Sequence, residues 1–157
     1  MKYFTFLLFA LVFFTTSCKQ SNEQNHSKQA ESTVEADVKT VVPQVANRIE
    51  VLDFYGVRRC KTCRAIEANS RYTLDTYFAE AMKEGKIVFR VVNTDEEKNA
   101  EIAEKFEAFG TALFLNVIKD GHETIIELTD FAFQKGNDRD VFSKELKDKI
   151  EEQLKNL

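Results

Sequence analysis

The chain has 157 residues, with 22 basic and 26 acidic side chains and a formal net charge of −4. This length fits one domain with appendages, and a domain of about 110 residues can bury a working core without disulfide staples. Fourteen phenylalanines supply much of such a core. The acidic balance gives no indication of nucleic-acid binding, so no nucleic-acid partner is expected.

The first 17 residues have the pattern of an export signal. Lys2 is followed by an almost unbroken apolar stretch to Phe14, which is shorter than the roughly 20 apolar residues of a stable membrane span. Thr15-Thr16-Ser17 before Cys18 resembles the lipobox of bacterial lipoproteins, although Thr15 stands where Leu is commonest. The resemblance implies that Cys18 is lipidated and anchors the protein in the bacterial cell envelope, facing the periplasm. An ordinary signal peptide or an uncleaved anchor is the alternative.

Residues 18–47 are polar and contain no aromatic side chain. Such a composition buries too little apolar surface to fold, so the segment is expected to be a flexible tether. A coil of this length would hold the following domain on the order of 30 Å from its anchor.

Residues 48–157 predict alternating strands and helices in one domain. The expected elements are a strand over Ile49–Tyr55, a helix from Cys60 or Thr62 to about Met82 with a bend near Asn69-Ser70, a strand over Lys86–Asn93, a helix over Glu96–Phe109, strands over Ala112–Ile118 and Thr124–Leu128, and a helix over Asp138–Leu154. The first two strands should be parallel. Asp120-Gly121 is a strong tight-turn signal, so the last two should pair antiparallel. Buried helix faces are expected at Ile102, Phe106 and Phe109, and at Phe142, Leu146, Ile150 and Leu154.

Cys60 and Cys63 lie between the first strand and the first helix, and their spacing allows a small disulfide ring. A cysteine at a helix N-terminus sits among unpaired N–H groups at the positive end of the dipole, which favours the thiolate. The nearby cations are Arg58, Arg59, Lys61 and Arg64, and they are expected to stabilise the thiolate further. Cys60 is therefore the expected exposed nucleophile, and Cys63 the less accessible thiol that resolves a mixed disulfide.

Other functions use the same Cys-x-x-Cys spacing, including zinc, copper(I) and arsenite binding. A closed zinc site needs four ligands, but the sequence has no second such pair and only two histidines, His26 and His122, so no metal site and no cofactor are expected. An inert structural disulfide is a third possibility, yet so short a loop removes little entropy from the unfolded chain. Dithiol/disulfide exchange is the main hypothesis, and a soft-metal or arsenite binding module is the alternative.

The order βαβαββα with Cys-x-x-Cys after the first strand resembles thioredoxin over residues 48–157, which implies a thioredoxin-like α/β fold and a thiol-disulfide oxidoreductase. Leu52-Asp53-Phe54 is similar to the thioredoxin strand whose buried carboxylate handles the proton of the resolving cysteine. Asp53 shares strand parity with Ile49 and Val51, so its pKa should rise if that face is covered. If the face is not covered, Asp53 is turned toward a polar edge.

A narrower resemblance involves the run from Phe54 to Cys63, then Ile66-Glu67, Tyr77-Phe78 and the run Lys86–Asn93. These residues are similar to a thioredoxin-like family of nitrophenyl-compound nitroreductase subunits in bacterial arsenic operons. The resemblance implies a supply of reducing equivalents for nitroaryl or arsenical reduction, with the two cysteines as the only site residues carried over.

One departure from thioredoxins concerns the third strand, where a cis-proline is usual but the chain has Gly110-Thr111-Ala112. A cis bond before a residue other than proline costs about 2.5–4 kcal/mol, so this strand should begin in trans. The expected protein is a monomer whose partner is a protein or small-molecule thiol or disulfide.

Overall fold

The computed structural model describes residues 46–157. The expected signal peptide, Cys18 and the expected tether as far as residue 45 lie outside the described residues. The elements are β1 (Arg48–Tyr55), α1 (Lys61–Tyr77), α2 (Ala79–Lys83), β2 (Ile87–Asn93), a 3-10 turn (Glu97–Asn99), α3 (Ala100–Lys105), β3 (Ala112–Lys119), β4 (His122–Glu127), α4 (Thr129–Lys135) and α5 (Arg139–Leu154). Within this range, none of the helices is both long and apolar enough to cross a membrane.

The four strands form one sheet in the order β2-β1-β3-β4. β1 runs parallel to β2, as expected for a βαβ unit, and β3 runs antiparallel to both β1 and β4. Asp120 and Gly121 both have positive φ, 50° and 80°, which is the backbone of the type I′ turn that joins twisted antiparallel strands. This topology confirms the predicted α/β, thioredoxin-like fold class.

The central strand β1 is buried on both faces, because its alternating side chains enter two separate clusters. One face, with Ile49 and Val51, packs against side chains of α1 and α5. The other carries Phe54, whose ring centroid lies 5.5 Å from that of Phe106 and 5.7 Å from that of Phe114. The side chains of β1 from Ile49 to Phe54 are therefore enclosed on both sides of the sheet.

The first helix breaks at a different place from the one expected. α1 runs without interruption through Asn69 and Ser70, and the break falls at Phe78. Asn69 remains helical because its side-chain amide donates to the Gly136 carbonyl, 2.9 Å away, and does not compete for the backbone of its own helix. Phe78 leaves helical geometry and is buried, 5% exposed.

The expected helix over Glu96–Phe109 is much shorter, since only the 3-10 turn and α3 form. Glu107 has a φ of 51°, which ends the helix before Phe109. Ala108 is buried in its stead, and Phe109 is 92% exposed, so the prediction that Phe109 faces the core was wrong. The predictions for Ile102 and Phe106 hold, because both pack in the aromatic cluster around Phe54.

The last helix matches its prediction, whereas α4 was not predicted. Phe142, Leu146 and Ile150 are fully buried, and Leu154 is partly buried. Over its seven residues α4 has a single buried side chain, that of Ala132, which is too little to produce a helical period in the sequence.

We expect Gly136→Ala to destabilise the fold, because atoms of α1 and α4 leave no room for a side chain at Gly136. A Cβ atom there would lie 2.5 Å from the Ala132 carbonyl oxygen and 2.9 Å from Cγ1 of Ile66. The free energy of unfolding should fall by about 1–3 kcal/mol, as is typical of overpacking. Denaturant unfolding measures it, with Gly110→Ala as the control, because a Cβ at Gly110 meets no atom within 4 Å. Equal midpoints for the two variants would contradict the packing around Gly136.

Candidate active site

Cys60 and Cys63 form a disulfide at the start of α1. Cys60 is the N-cap residue of this 17-residue helix, and its sulfur accepts a hydrogen bond from the Cys63 N–H at 2.9 Å. Cys60 is exposed, while Cys63 is buried at 6% exposure. The first turn contains no acidic residue that would oppose a negative sulfur. A reagent in solvent can therefore reach one sulfur more readily than the other.

The loop between β1 and Cys60 is held by the segment that follows β2. Oδ2 of Asp95 accepts the Val57 N–H at 2.6 Å, and the backbone and hydroxyl of Thr94 donate to the Tyr55 carbonyl at 2.8 and 3.2 Å. A Cβ on Gly56 would lie 3.1 Å from the same Asp95 oxygen, so a larger residue there would crowd the Asp95 side chain. Sequence reasoning missed Thr94 and Asp95, although the carboxyl ends of two parallel strands necessarily meet at one sheet edge.

Asp53 lies fully buried on the face of β1 that α1 covers. Within residues 46–157, neither carboxylate oxygen has a hydrogen-bond partner. The pKa of Asp53 is raised to about 7, chiefly by burial and then by the charge of Glu67, while Arg59 and Arg71 act in the opposite direction. Of the two alternatives considered for this side chain, the structure has the buried one.

The guanidinium of Arg59 points into the protein. Nη1 donates to Oε2 of Glu67 at 2.6 Å, and Nη2 donates to the Cys63 carbonyl at 3.3 Å. The same Nη2 lies 3.7 Å from Oδ2 of Asp53, and the group stacks 4.3 Å from the ring centre of Tyr55. Arg59 therefore links the buried carboxyl to the backbone of the buried cysteine.

The other cations near the disulfide are exposed, namely Arg58, Lys61 and Arg64. Arg64 donates to the Arg59 carbonyl at 2.9 Å. The effect of all four cations on the Cys60 thiolate stays a prediction. Glu67 and Arg71 were not singled out from the sequence, yet they follow Cys63 at successive steps of four, which on a helix is one face.

The third strand begins beside the site, because Ala112 pairs with Phe54 across the sheet. The residues from 46 to 157 contain no cis peptide bond, so the predicted trans start of this strand is confirmed. The described part of the chain also has no group of three or more His, Cys, Asp or Glu side chains arranged to hold a metal ion.

No protein-family model matches the chain, and no curated protein matches it. Several solved structures are similar. One, described as a malarial protein, has 20% sequence identity and a TM-score of 0.36, with 57% of this chain and 96% of that chain covered. Another is thioredoxin from Fasciola hepatica, with 23% identity and a TM-score of 0.34, covering 56% of this chain and 76% of that one. Similarity at this level says nothing about function.

We expect Asp53→Asn to stabilise the oxidised domain above neutral pH. A carboxyl whose pKa rises from 3.8 to about 7 on folding holds its proton in the folded state, so its contribution is fully present below pH 3.8 and is lost as the pH rises through about 7. The amide carries no such penalty. The stability advantage of the variant should grow between about pH 4 and pH 8, reaching on the order of 2–4 kcal/mol.

Urea unfolding of the oxidised wild-type and variant domains across this pH range measures the difference. Glu50→Gln is the control, because Glu50 lies on the same strand but hydrogen-bonds to Arg48 and Asn116. Burial raises the pKa of Glu50, but these partners outweigh burial, so its pKa is lowered overall. A constant difference between wild type and Asp53→Asn at every pH would contradict the raised pKa of Asp53.

Proposed function

We propose that this protein is a thiol-disulfide oxidoreductase that cycles Cys60 and Cys63 between dithiol and disulfide. The observation that carries the proposal is a disulfide between one exposed and one buried cysteine at the N-terminus of a long helix, in a domain whose central strand carries a buried carboxyl group. An exposed sulfur that accepts an N–H hydrogen bond is placed to attack and to be attacked. The buried sulfur is placed to react with its neighbour and poorly placed to react with solvent.

In the reducing direction, the Cys60 thiolate attacks one sulfur of a partner disulfide. A mixed disulfide forms between Cys60 and the attacked sulfur, and the partner's other sulfur leaves as a thiolate. Cys63 then loses its proton and attacks Sγ of Cys60, which closes the Cys60–Cys63 disulfide and releases the partner's second thiolate. The partner gains two electrons, the protein loses two, and the partner thiolates take up protons. The oxidising direction is the same sequence reversed.

Asp53 is the proposed proton acceptor for Cys63. Nη2 of Arg59 donates to the Cys63 backbone carbonyl and lies 3.7 Å from Oδ2 of Asp53, so the carboxyl and the cysteine share one neighbour. A carboxyl with a pKa of about 7 can take and release a proton near neutral pH. A carboxyl with an ordinary pKa would be a weaker base at this position.

The setting of the reaction is also a proposal. The residues before Cys18 support a lipid anchor at that cysteine, and the polar composition of residues 18–47 supports a tether. The domain over residues 48–157 would then lie in the bacterial envelope on the periplasmic side. The partner is then a protein or small-molecule thiol or disulfide. The run from Phe54 to Cys63 supports the narrower proposal that nitroaryl or arsenical reduction receives these electrons.

We expect Cys63→Ser to accumulate mixed disulfides through Cys60, because the second step then has no attacking thiol. Cys60→Ser should trap little, since the remaining sulfur is buried. Non-reducing gels of cells expressing each variant, with matched lanes treated with dithiothreitol, provide the measurement. Equal trapping by the two variants would remove the assigned roles.

The reduction potential of the Cys60–Cys63 pair distinguishes exchange from an inert bridge. A potential close to that of thioredoxin, about −270 mV, would indicate a reductase, and a value near −120 mV a disulfide donor. Resistance to mild reductant would indicate a structural disulfide, and stoichiometric metal retention by the reduced protein would indicate a binding module.

We expect Cys18→Ser to abolish lipid attachment in a bacterial host, because the acceptor thiol is then missing. The wild-type protein should partition into the detergent phase of Triton X-114. The variant should either partition into the aqueous phase or accumulate with its signal peptide uncleaved. Ser17→Ala is the control, since a small residue remains before Cys18. A fully processed Cys18→Ser protein that still fractionates with membranes would contradict the lipoprotein proposal.

A further inference from the structure

We propose that Glu67 is a positioning residue that keeps the Arg59 guanidinium out of hydrogen-bonding range of Asp53, so that the buried Asp53 carboxyl stays available to the proton of Cys63. The proposal rests on the proposed function for its consequence in the exchange reaction. The structural part of the proposal is that the Arg59 guanidinium binds the Glu67 carboxylate in preference to that of Asp53.

The distances show which carboxylate holds the guanidinium. Arg59 donates to Glu67 at 2.6 Å, whereas its nearest approach to Asp53 is 3.7 Å, beyond hydrogen-bonding range. Its second terminal nitrogen donates to the Cys63 carbonyl instead. Arg59 and a carboxylate can form a strong two-bond pair, so the absence of any hydrogen bond to Asp53 within residues 46–157 needs a competitor.

Glu67 is equipped to be that competitor because it stays ionised. Burial opposes ionisation, but hydrogen bonds from Arg59 and Arg71 outweigh it, so the pKa of Glu67 is lowered. Arg71 donates to Oε1 at 3.3 Å, which leaves Oε2 for Arg59. Each oxygen of Glu67 is thus engaged by a different arginine.

Among residues 46–157, Arg59 is the only cation within ion-pair distance of Asp53. The charged side chains facing it are Arg59 from the loop and Glu67 and Arg71 from α1. Its neighbours on β2 and β3 are Val91 and Leu113, which carry no charge. The protonation of Asp53 therefore depends on where the Arg59 guanidinium points.

The consequence for the proposed reaction follows from base strength. If Arg59 turned to Asp53 and paired with it, the carboxylate would be stabilised and would accept the Cys63 proton less readily. With Arg59 bound to Glu67, the carboxyl keeps its affinity for the proton. Glu67 acts through Arg59 and need not touch either sulfur.

The test is Glu67→Gln, followed by a pH titration of the Asp53 carboxyl carbon resonance in the oxidised protein, assigned by its loss in Asp53→Asn. We expect the titration midpoint to fall by roughly one pH unit, since Arg59 is released toward Asp53. Glu145→Gln is the control, because Glu145 pairs with Lys135 on α4 and has no contact with the site. Its midpoint should equal that of the wild type.

The Glu67 charge itself also raises the Asp53 pKa, so Arg59 must be tested as the intermediary. In an Arg59→Met background, Glu67→Gln should shift the midpoint by less than half as much as in the wild-type background. An equal shift in both backgrounds, or no shift in Glu67→Gln, overturns the proposal. Glu67→Asp provides a second, milder variant, which keeps the charge but shortens its reach; it should lower the midpoint by less, and an unchanged or raised midpoint contradicts the proposal.

The titration separates this inference from the proposed function, because the oxidised resting protein undergoes no turnover during it. A protein that exchanges no disulfide can still show the predicted shift, which would overturn the function alone. A protein that exchanges disulfides with an unchanged Asp53 midpoint in Glu67→Gln would overturn only the role of Glu67.

Discussion

A carboxyl group buried without hydrogen bonds is costly, and the surrounding structure depends on how Asp53 is accommodated. Asp53 alternates along β1 with Ile49 and Val51, so any sheet that buries those two side chains under α1 buries Asp53 as well. The protein lowers the cost by keeping the proton on the carboxyl up to about neutral pH. A residue of this kind at the end of a central strand, next to a disulfide, has the perturbed ionisation that is common at functional sites.

The charges around the disulfide are divided between two environments. The loop held by Asp95 directs Arg59 inward, where it meets Glu67 and the carbonyl of Cys63. The remaining cations, Arg58, Lys61 and Arg64, are exposed. Because one helix, α1, supplies Cys63 and Glu67 from the same face, the buried cysteine and the carboxylate that holds Arg59 are positioned together, and Arg71 on that face is exposed.

The sequence sufficed for the order of strands and for the turn at Asp120-Gly121, because both depend on local apolar runs and on a turn that demands positive φ. It also placed Asp53 on the face shared with Ile49 and Val51. It failed where tertiary contacts decide the outcome. Asn69 stays helical through its bond to Gly136, far away in the chain, and the direction taken by Arg59 depends on Glu67, which no local pattern reveals.

These two environments match the two steps of the proposed exchange. In the proposed first step Cys60 attacks from an exposed position at a helix N-terminus, where the dipole and the surface cations are expected to stabilise its thiolate and to be screened by salt. The resolving step by Cys63 occurs under cover, where Asp53, Arg59 and Glu67 interact at lower dielectric and with little screening. Because Arg59 donates to the Cys63 carbonyl, a change in the pairing of Arg59 should affect Cys63 more than Cys60. If the proposed exchange takes place, proton transfer at Cys63 can therefore be adjusted by buried groups that are separate from the exposed surface around Cys60.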